Sequence, residues 1–293
     1  MINANHLKVF HSVAKNLSFS RAAEALYTSQ SSVSIQIKKL EESLGIKLFE
    51  QLGKKIYLTE AGAILFPYSQ KVFALIDEAL QAINEIKGSS KGRLLLGAST
   101  TPGVYLLPKI IGNFKTIYPG VVPKLQIANS QSIGEMVGKN ILDFGITGEE
   151  FTYSPELHVE PWIKDELFLI VPNKHPLVFK GTVDLKDLQN EDFIFREPGS
   201  STRSIVENIL ARENFKANVI MELNNTEAVK QAVCAGLGVS IVSRFSVINT
   251  PEVVPLPVRG LSFYRMLNII YHREKIFSPS TEKFLSFLKN YSQ

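Results

Sequence analysis

Hydrophobic and polar positions repeat with helical spacing in two neighbouring segments near the N-terminus. The first segment begins at Ser18 or Ser20, either of which can act as a cap, and it ends near Leu26 with small alanines on its apolar face. The second segment begins at a Ser29 cap and ends at about Glu42. Its apolar stripe consists of Val33, Ile37, Leu40 and Leu44. Two short helices that cross at a small-residue contact predict a helix-turn-helix, whose second helix is the recognition helix.

The face opposite this stripe carries small, polar and basic side chains. With about 3.6 residues per turn, the outward positions are Ser31, Ser34, Ile35, Lys38 and Lys39, and the first turn adds Ser29 and Gln30. In a major groove, Gln30 can pair with adenine, the serines can serve bases or phosphates, and Ile35 suits a thymine methyl group. Taken alone, the segment leaves open an amphipathic helix of an ordinary helical bundle.

The segment GIKLFEQLGKKIYLTEAG follows directly and predicts two short strands joined by a tight turn. Lys54 and Lys55 lie at the tip of this turn, where they can contact DNA phosphates. A β-hairpin behind a recognition helix is a wing. It favours DNA binding over the bundle interpretation.

Residues 59–87 then repeat apolar positions with the spacing of a coiled coil. Thr59 can cap this helix, and Pro67 predicts a kink or a late start. The seam consists of Phe73, Ile76, Leu80 and Ile83. It predicts pairing with the same helix of a second copy, and burial against its own chain is the alternative. The segment KGSSKG, residues 87–92, predicts a flexible hinge.

From residue 93 onwards, strand and helix patterns alternate, which predicts an α/β fold with mainly parallel strands. The predicted strands are 93–98, 123–129, 144–148, 167–172, 192–197, 218–223, 239–243 and 266–272. Two longer extended stretches, around 157–171 and 260–272, are expected to cross between two lobes.

Two loops of this region are candidates for binding an anion, because each precedes a helix whose free N–H groups and dipole favour negative charge. The first is STTPG, with Ser99, Thr100 and Thr101 ahead of Pro102. The second, in FREPGSSTRSIVENIL, contains Arg196, Ser200, Ser201, Thr202 and Arg203. Hydroxyl and guanidinium groups from both loops would complete a cage. The alternative is that the Ser and Thr residues only cap their helices.

Charge separates the N-terminal part from the rest. Residues 1–58 hold eight basic and four acidic side chains, whereas residues 59–293 hold 24 of each. The net charge of +4 therefore lies in the first fifth of the chain, as expected for a part that meets a polyanion. The segment MINANHLKVFHSVAKN lacks the apolar core of a signal peptide, and no apolar run reaches the roughly 18 residues of a membrane span. We therefore expect a cytoplasmic protein.

Catalytic patterns are weak in this sequence. The single cysteine, Cys234, lies in an apolar helix end and cannot form an intrachain disulfide. The five histidines lack metal-ligand spacing, and no phosphate-loop or dinucleotide glycine pattern occurs. We expect no enzyme and no cofactor. A transport-type binding protein would fit the two C-terminal lobes alone, but the wing and the missing signal segment count against it.

The N-terminal sequence LKVFHSVAKNLSFSRAAEALYTSQSSVSIQIKKLEESLGIKLFE…LTEAG resembles the winged helix of the LysR-type transcriptional regulators. It departs from that pattern at Gln51, where arginine is usual, and at Ile35, where a polar or basic residue is common. The resemblance implies a DNA-binding domain (1–58), a linker helix and hinge (59–90) and an effector-binding regulatory domain (91–293). That domain would have two Rossmann-like lobes as in periplasmic binding proteins, lobe I at about 91–162 plus 268–293 and lobe II at about 163–267.

The same resemblance adds effector contacts and partners. Asn129, Ser130 and Thr147 correspond to the ends of further strands, and Glu227 is a candidate at the edge of the site. The two loops look most like the branch that regulates sulfur assimilation and carbon fixation, which implies a small anionic co-inducer such as sulfite, sulfate, a phosphorylated sugar or a small carboxylate. The expected partners are promoter DNA, a second copy through the 59–87 helix and further copies in a homotetramer, and RNA polymerase is a candidate partner.

Overall fold

The computed structural model describes residues 2–53, 55–86, 92–148, 154–248 and 250–291. The chain divides into two compact units, residues 1–83 and residues 84–293. The elements of the first unit are α1 (Ala4–Asn16), α2 (Phe19–Ala25), α3 (Gln30–Leu44), β1 (Phe49–Leu52), β2 (Lys55–Leu58) and α4 (Glu60–Ile86). Helices α2 and α3 confirm the predicted helix-turn-helix, and the antiparallel pair of β1 and β2 confirms the wing.

Side-chain caps fix where these helices begin. The Ser18 hydroxyl accepts a hydrogen bond from the Arg21 N–H, so Ser18 rather than Ser20 caps α2. Ser29 caps α3 by accepting from the Ser32 N–H. The predicted apolar stripe of α3 is buried at Val33, Ile37 and Leu40 against Phe10 and other residues of α1 and α2, whereas Leu44 is exposed.

A buried carboxylate joins the recognition helix to the wing. Glu41 is 8% exposed, and its Oε1 accepts from the Leu48 N–H at 2.9 Å. Its Oε2 accepts from Lys47 Nζ at 2.8 Å. Charge-assisted bonds of this kind are among the stronger hydrogen bonds in proteins. They hold the strand β1 in a fixed position relative to α3.

Helix α4 begins at Glu60 and runs through Pro67 without a break. Its first turn is capped by the Thr59 hydroxyl, which accepts from the Gly62 N–H at 3.1 Å. Of the predicted seam, Ile76, Leu80 and Ile83 are exposed. Phe73 is a correction, because it packs against the core of its own unit, and its ring is tilted against the His11 ring with the two centroids 5.5 Å apart. Among the side chains of α4 that the structure describes, the other large apolar ones that are exposed are Ile64, Tyr68, Val72 and Leu75.

His11 makes this first unit sensitive to pH. Burial, and then the charge of Lys15, lower the pKa of His11 below its usual value of 6.5. The Ser69 hydroxyl donates to the Phe66 carbonyl and therefore accepts from Nδ1–H of the neutral His11 ring at 3.1 Å. The folded state thus binds the His11 proton more weakly than the unfolded state. The stability that neutral His11 contributes is present above the unfolded pKa and is lost as the pH falls through the lower folded pKa.

We therefore expect acidification to lower the unfolding temperature of the first unit, and His11→Asn to reduce that loss. Asparagine can still donate to Ser69 but does not titrate. The measurement is thermal unfolding of wild type and variant at about pH 7.5 and about pH 5.5, on either side of the unfolded histidine pKa. Equal losses in the two proteins would exclude His11 as the titrating group.

The second unit is a mixed α/β structure. Its strands are β3 (Arg93–Ser99), β4 (Val122–Ala128), β5 (Phe144–Gly148), β6 (Leu157–Pro172), β7 (Asp192–Arg196), β8 (Asn218–Leu223), β9 (Ser240–Ser243), β10 (Val253–Leu256) and β11 (Phe263–His272). Its helices are α5 (Leu107–Ile117), α6 (Ser130–Gly138), α7 (Ser201–Arg212), α8 (Thr226–Cys234), α9 (Arg244–Val247) and α10 (Pro279–Lys289). A π-helical turn, Pro102–Leu106, precedes α5, and two 3₁₀ helices, Pro176–Lys180 and Leu185–Leu188, precede β7.

The strand directions correct one prediction. Strands β3, β4 and β5 are parallel, as are β7 and β8, but β6 and β11 run antiparallel to each other and to their other neighbours. The expectation of mainly parallel strands is therefore wrong. Strand β10 was not predicted. The two long extended stretches are confirmed as β6 and β11, which pair with each other along most of their length.

Each lobe has its own apolar core. One core contains residues of β3, α5 and α10, with Phe114 packed edge-on against Phe284 at 4.9 Å. The second contains residues of β7, α7 and β9. Strands β6 and β11 contribute to both, since Leu267 packs in the first core and Phe263 in the second. The predicted lobe boundaries stay predictions, but the two lobes and the two strands that join them are present.

Two further expectations concern chemistry. Cys234 packs against an apolar cluster that includes Val229 and Val233. Burial, and then the charge of Glu252, raise the pKa of the Cys234 thiol, which makes it a poor nucleophile.

Among the described residues, no three His, Cys, Asp or Glu side chains are placed to hold a metal ion. No helix within the described ranges combines the length and apolar character needed to cross a membrane.

Candidate DNA interface and effector site

The recognition helix presents its predicted outward face to solvent. Ser31, Ser34, Ile35, Lys38 and Lys39 are all exposed, with Ile35 at 55%. Gln30 is also exposed, and its Oε1 accepts from the Ser20 hydroxyl at 3.1 Å. This bond orients the side-chain amide and leaves its NH₂ group to donate. Ser34 donates to the Gln30 carbonyl, and Ser29 has its capping role.

A groove of about 1050 Å³ runs between α3, the start of α2 and the wing. Among the described residues that line it, four are basic and two are acidic, namely Arg21, Lys38, Lys47 and Lys55, with Glu41 and Glu50. Sequence reasoning had missed Arg21 and Lys47, because neither lies on the outward face of α3. Lys54 was predicted to contact phosphate and lies outside the described residues. Lys55 is exposed at the first position of β2.

Lys55→Ala is expected to weaken binding to all duplex DNA to a similar degree. A lysine at the wing contacts phosphates, which carry no sequence information. The slope of the logarithm of the binding constant against the logarithm of salt concentration should fall by about one unit. Fluorescence anisotropy over a range of salt concentrations measures this slope. Lys109→Ala, an exposed lysine of α5, is the control. A loss confined to one DNA sequence would assign Lys55 to base recognition.

The second candidate site lies where the strands of both lobes end. The carboxyl ends of β3, β4 and β5 point towards it from one lobe, and Arg196 at the end of β7 points towards it from the other. A cavity here is lined by Ser99, Thr100, Thr101, Asn129, Ser130, Arg196, Ser200, Ser201 and Arg265. Apart from Arg265, every lining residue was predicted from the sequence. Open α/β sheets place ligands at such strand ends.

The hydroxyl groups of this cavity are not explained by helix capping. The Ser200 and Thr101 side chains make no capping hydrogen bond, although both residues stand at helix starts. The Ser99 hydroxyl is buried and has no hydrogen-bond partner among the described residues. Asn129 does cap α6, through the Ser132 N–H. The alternative in which Ser and Thr residues only cap their helices therefore fails for Ser99, Thr101 and Ser200.

Arg196 is 5% exposed and spans the cavity between the lobes. Its Nη1 donates to the Thr226 hydroxyl at 2.7 Å, and its Nη2 donates to the Thr100 hydroxyl at 3.2 Å. Glu197 accepts from both Nε and Nη2, which balances the guanidinium charge. In the closed structure the Nε and Nη2 donors of Arg196 are therefore held by Glu197, and the link of Nη2 to Thr100 places the guanidinium at the cavity wall, where an oxyanion would compete with Glu197 for it.

Arg265 is the lining residue that sequence reasoning missed. It lies on β11 directly opposite Asp165 on β6, and the two form a buried ion pair at 2.9 Å. A signal was present in the sequence. Arg265 alternates with Phe263 and Leu267, so strand periodicity places it on the buried face, where a charge needs a partner.

Four predicted residues lie outside the cavity lining. Thr202 is buried and accepts from Arg265 Nη1 at 2.8 Å. Thr147 is buried in β5. The Arg203 guanidinium binds Glu207 and Glu222 in this structure, and its effector role stays a prediction. Glu227, predicted at the edge of the site, accepts from the Tyr105 hydroxyl and from Lys230, and its role also stays a prediction.

The lobes are closed on each other in this structure. The cavity volume is about 10 Å³, which is room for at most one water molecule. Tyr105 on the π-helical turn donates to Glu227 of the other lobe at 2.8 Å. Burial, and then this bond, raise the pKa of Tyr105, so it stays a protonated donor. A metabolite therefore requires the lobes to separate or the lining side chains to move.

A winged helix-turn-helix followed by two lobes around a polar cleft defines a DNA-binding regulator with a small-molecule site. Residues 4–63 match the family described as bacterial regulatory helix-turn-helix protein, lysR family, and residues 87–293 match the LysR substrate binding domain. The chain belongs to the LysR family of transcriptional regulators.

Individual relatives agree with this assignment. The HTH-type transcriptional activator CmpR of Synechocystis is 38% identical over 288 residues, covering 97% of this chain and 94% of CmpR. The RuBisCO operon transcriptional regulator of Allochromatium vinosum is 33% identical, covering 98% and 95%. The regulatory domain of Synechocystis CcmR, solved in complex with 2-PG (2-phosphoglycolate), is 30% identical with a TM-score of 0.63, covering 67% of this chain and 95% of that domain. These relatives are regulators, and this chain is a regulator rather than an enzyme.

Proposed function

We propose that this regulator changes its promoter binding in response to a small oxyanion, of the class of short phosphorylated or carboxylic acids. The observation that carries the proposal is the cavity at the strand ends, where Arg196 and hydroxyls of both lobes converge. The 2-PG complex of the CcmR domain and the carbon-fixation names of the relatives support a phosphorylated C2 acid as the first candidate.

The assembly follows from the exposed apolar face of α4. Ile76, Leu80 and Ile83 are each between 44% and 54% exposed. A second copy that covers this face would form a dimer with two recognition helices, suited to a dyad-symmetric DNA site. Association of dimers into a tetramer extends this proposal, and RNA polymerase is a candidate further partner. Because its target is promoter DNA, we place its action in the cytoplasm.

The mechanism requires differential binding. The anion needs more room than the closed cavity offers, and it acts on DNA binding where it gains that room by holding the lobes further apart rather than by moving lining side chains alone. If the two arrangements position the DNA-binding domains differently, the anion changes DNA affinity, and DNA changes anion affinity by the same factor. A ligand with equal affinity for both arrangements would have no effect.

The test begins with in vitro selection of DNA sequences by the intact protein. We expect a site with dyad symmetry. Its affinity is then measured with and without 2-phosphoglycolate, and we expect a change of about 5- to 150-fold. Glycolate, which keeps the carboxylate and lacks the phosphoryl group, shows whether the response needs the phosphoryl group, and ethylene glycol, which carries neither group, is the uncharged control. Selection of no sequence would contradict the DNA assignment. An unchanged affinity with each of the small oxyanions would contradict the proposed response.

A further inference from the structure

Arg265 is surrounded by acceptors from three directions. Its Nη1 donates to the hydroxyls of Ser201 at 2.6 Å and Thr202 at 2.8 Å, and its Nη2 donates to the Thr101 hydroxyl at 2.9 Å. Its Nε donates to Asp165 Oδ2 at 2.9 Å. Arg265 is 3% exposed, and it is itself part of the cavity lining. The guanidinium therefore connects a helix start of each lobe to the strands β6 and β11.

These bonds determine which hydroxyl groups accept from an arginine and so keep their hydrogens for another partner. A hydroxyl has one hydrogen to donate, and an arginine can only donate. Because the Thr101 and Ser201 oxygens accept from Arg265, their hydrogens must point elsewhere, and both side chains line the cavity. The Thr100 oxygen accepts from Arg196 in the same way. The cavity wall is consequently biased towards donors, which suits a ligand whose oxygens only accept.

Asp165 weakens the binding of an anion, whereas the hydroxyl donors favour it. It is 0% exposed, and it accepts from the Ser243 hydroxyl at 2.6 Å as well as from Arg265. Its negative charge balances the guanidinium, so the Arg265–Asp165 pair brings no net charge to the site. In a buried environment, a nearby like charge weakens the binding of an anion more than it would in water.

We propose that the Arg265–Asp165 pair sets the anion affinity of the cleft: Arg265 is a positioning residue that turns the Thr101 and Ser201 hydroxyls into donors, and Asp165 is the counter-charge that limits affinity. This inference rests on the proposed anion response and assigns its chemical basis. The ligand class is an oxyanion with at least two acceptor oxygens on one centre. The pair lies on the two strands that join the lobes, so binding acts directly at the connection between them.

The test compares two variants that break the same ion pair from opposite sides. Isothermal titration of the intact protein with 2-phosphoglycolate gives the dissociation constants. Arg265→Gln should weaken binding about 30-fold, since it removes bonds that involve a charged donor. Asp165→Asn should tighten binding about tenfold, because the positive charge of Arg265 near the cavity is then no longer balanced by a buried negative charge. Arg265→Lys, which keeps the charge, should bind between wild type and Arg265→Gln.

Thermal unfolding of the unliganded proteins separates this role from a structural one. Both variants should unfold at lower temperature than wild type, since each leaves a buried group without its partner. A purely structural ion pair would therefore weaken anion binding in both variants, and that result would overturn the proposal. Opposite shifts in affinity support it.

A further variant tests the role of the hydroxyl donors if Arg265→Gln or Asp165→Asn fails to fold. Thr101→Val keeps the shape of the side chain and removes only the hydroxyl, so it should weaken 2-phosphoglycolate binding at least tenfold. Thr116→Val, at an exposed hydroxyl of α5 outside the cavity, is the matched control. Unchanged binding by Thr101→Val would overturn the inference. If wild type itself bound no oxyanion, the proposed function would fail before the role of the pair was tested.

Discussion

Gly148→Ala is expected to weaken anion binding strongly while leaving DNA binding in place. Gly148 ends β5, and an added Cβ would overlap the side chain of Ser201 and lie 3.1 Å from Arg265 Cδ. The start of α7 must then shift, together with the donors it presents to the cavity. Overpacking of this kind costs about 1–3 kcal/mol of folding stability. Returning the displaced donors to a bound anion has to work against this strain, so we expect the affinity to fall by roughly 5- to 150-fold.

Titration calorimetry with 2-phosphoglycolate measures this loss. Gly112→Ala is the matched control, because a Cβ at Gly112 meets nothing within 4 Å and the residue lies inside α5. We expect the control to bind like wild type and to be slightly more stable, since alanine is the better helix former. Wild-type affinity in Gly148→Ala would mean that the ligand does not depend on the α7 start.

Ile35→Asp is expected to abolish specific DNA binding without affecting the fold. The side chain is 55% exposed on the outward face of α3, so its replacement removes little buried apolar surface. In the major groove the substitution replaces an apolar contact with a carboxylate close to the phosphates. Loss of a base contact costs about 1–3 kcal/mol, and charge repulsion adds to it, so we expect a loss of about 100-fold or more.

Fluorescence anisotropy with the selected DNA site measures the affinity, and thermal unfolding verifies the fold. Phe179→Asp introduces the same charge at a side chain that is 90% exposed in the regulatory unit, and it should bind DNA like wild type. Equal binding by both variants would mean that another face of the first unit contacts the bases.

The DNA-binding unit was predictable because its determinants are local. The spacing of Val33, Ile37 and Leu40 determines which face of α3 is buried, and Ser29 marks where the helix begins. The exposed face follows from these by helical geometry. Phe73 was misjudged because the periodicity of α4 is the same whether a side chain packs on its own unit or on a second copy.

The effector cavity was predictable only in part, and for a similar reason. Most of its lining comes from two loops, each directly before a helix, so sequence order alone keeps Ser99–Thr101 together in one loop and Ser200–Ser201 together in the other. Arg203 follows Thr202 by one helical position, and a rotation of about 100° turns it to Glu207 and Glu222. Sequence order gives no such rule for Arg265.

The contact of Arg265 with Asp165 depends on how the chain returns to the first lobe. The two residues are 100 positions apart and become neighbours only because β11 runs antiparallel to β6. The direction of a strand depends on where the chain enters the sheet, and a local sequence pattern does not contain this information. The expectation of mainly parallel strands was wrong for the same reason. The alternation of apolar side chains along each strand predicts that both charged side chains are buried, but it does not predict that they form an ion pair with each other.

The central claim is that oxyanions bind in the cleft between the lobes, and thermal unfolding of the intact protein tests it most directly. The ligands are sulfite, sulfate, thiosulfate, phosphate, sugar phosphates, short carboxylates and 2-phosphoglycolate, each titrated to saturation with wild type and Thr101→Val. We predict a saturable stabilisation of wild type by one of them, of about 2.7 kcal/mol at a hundred times the dissociation constant, and a much smaller one in the variant. No stabilisation by any anion, or equal stabilisation of both proteins, would contradict the claim.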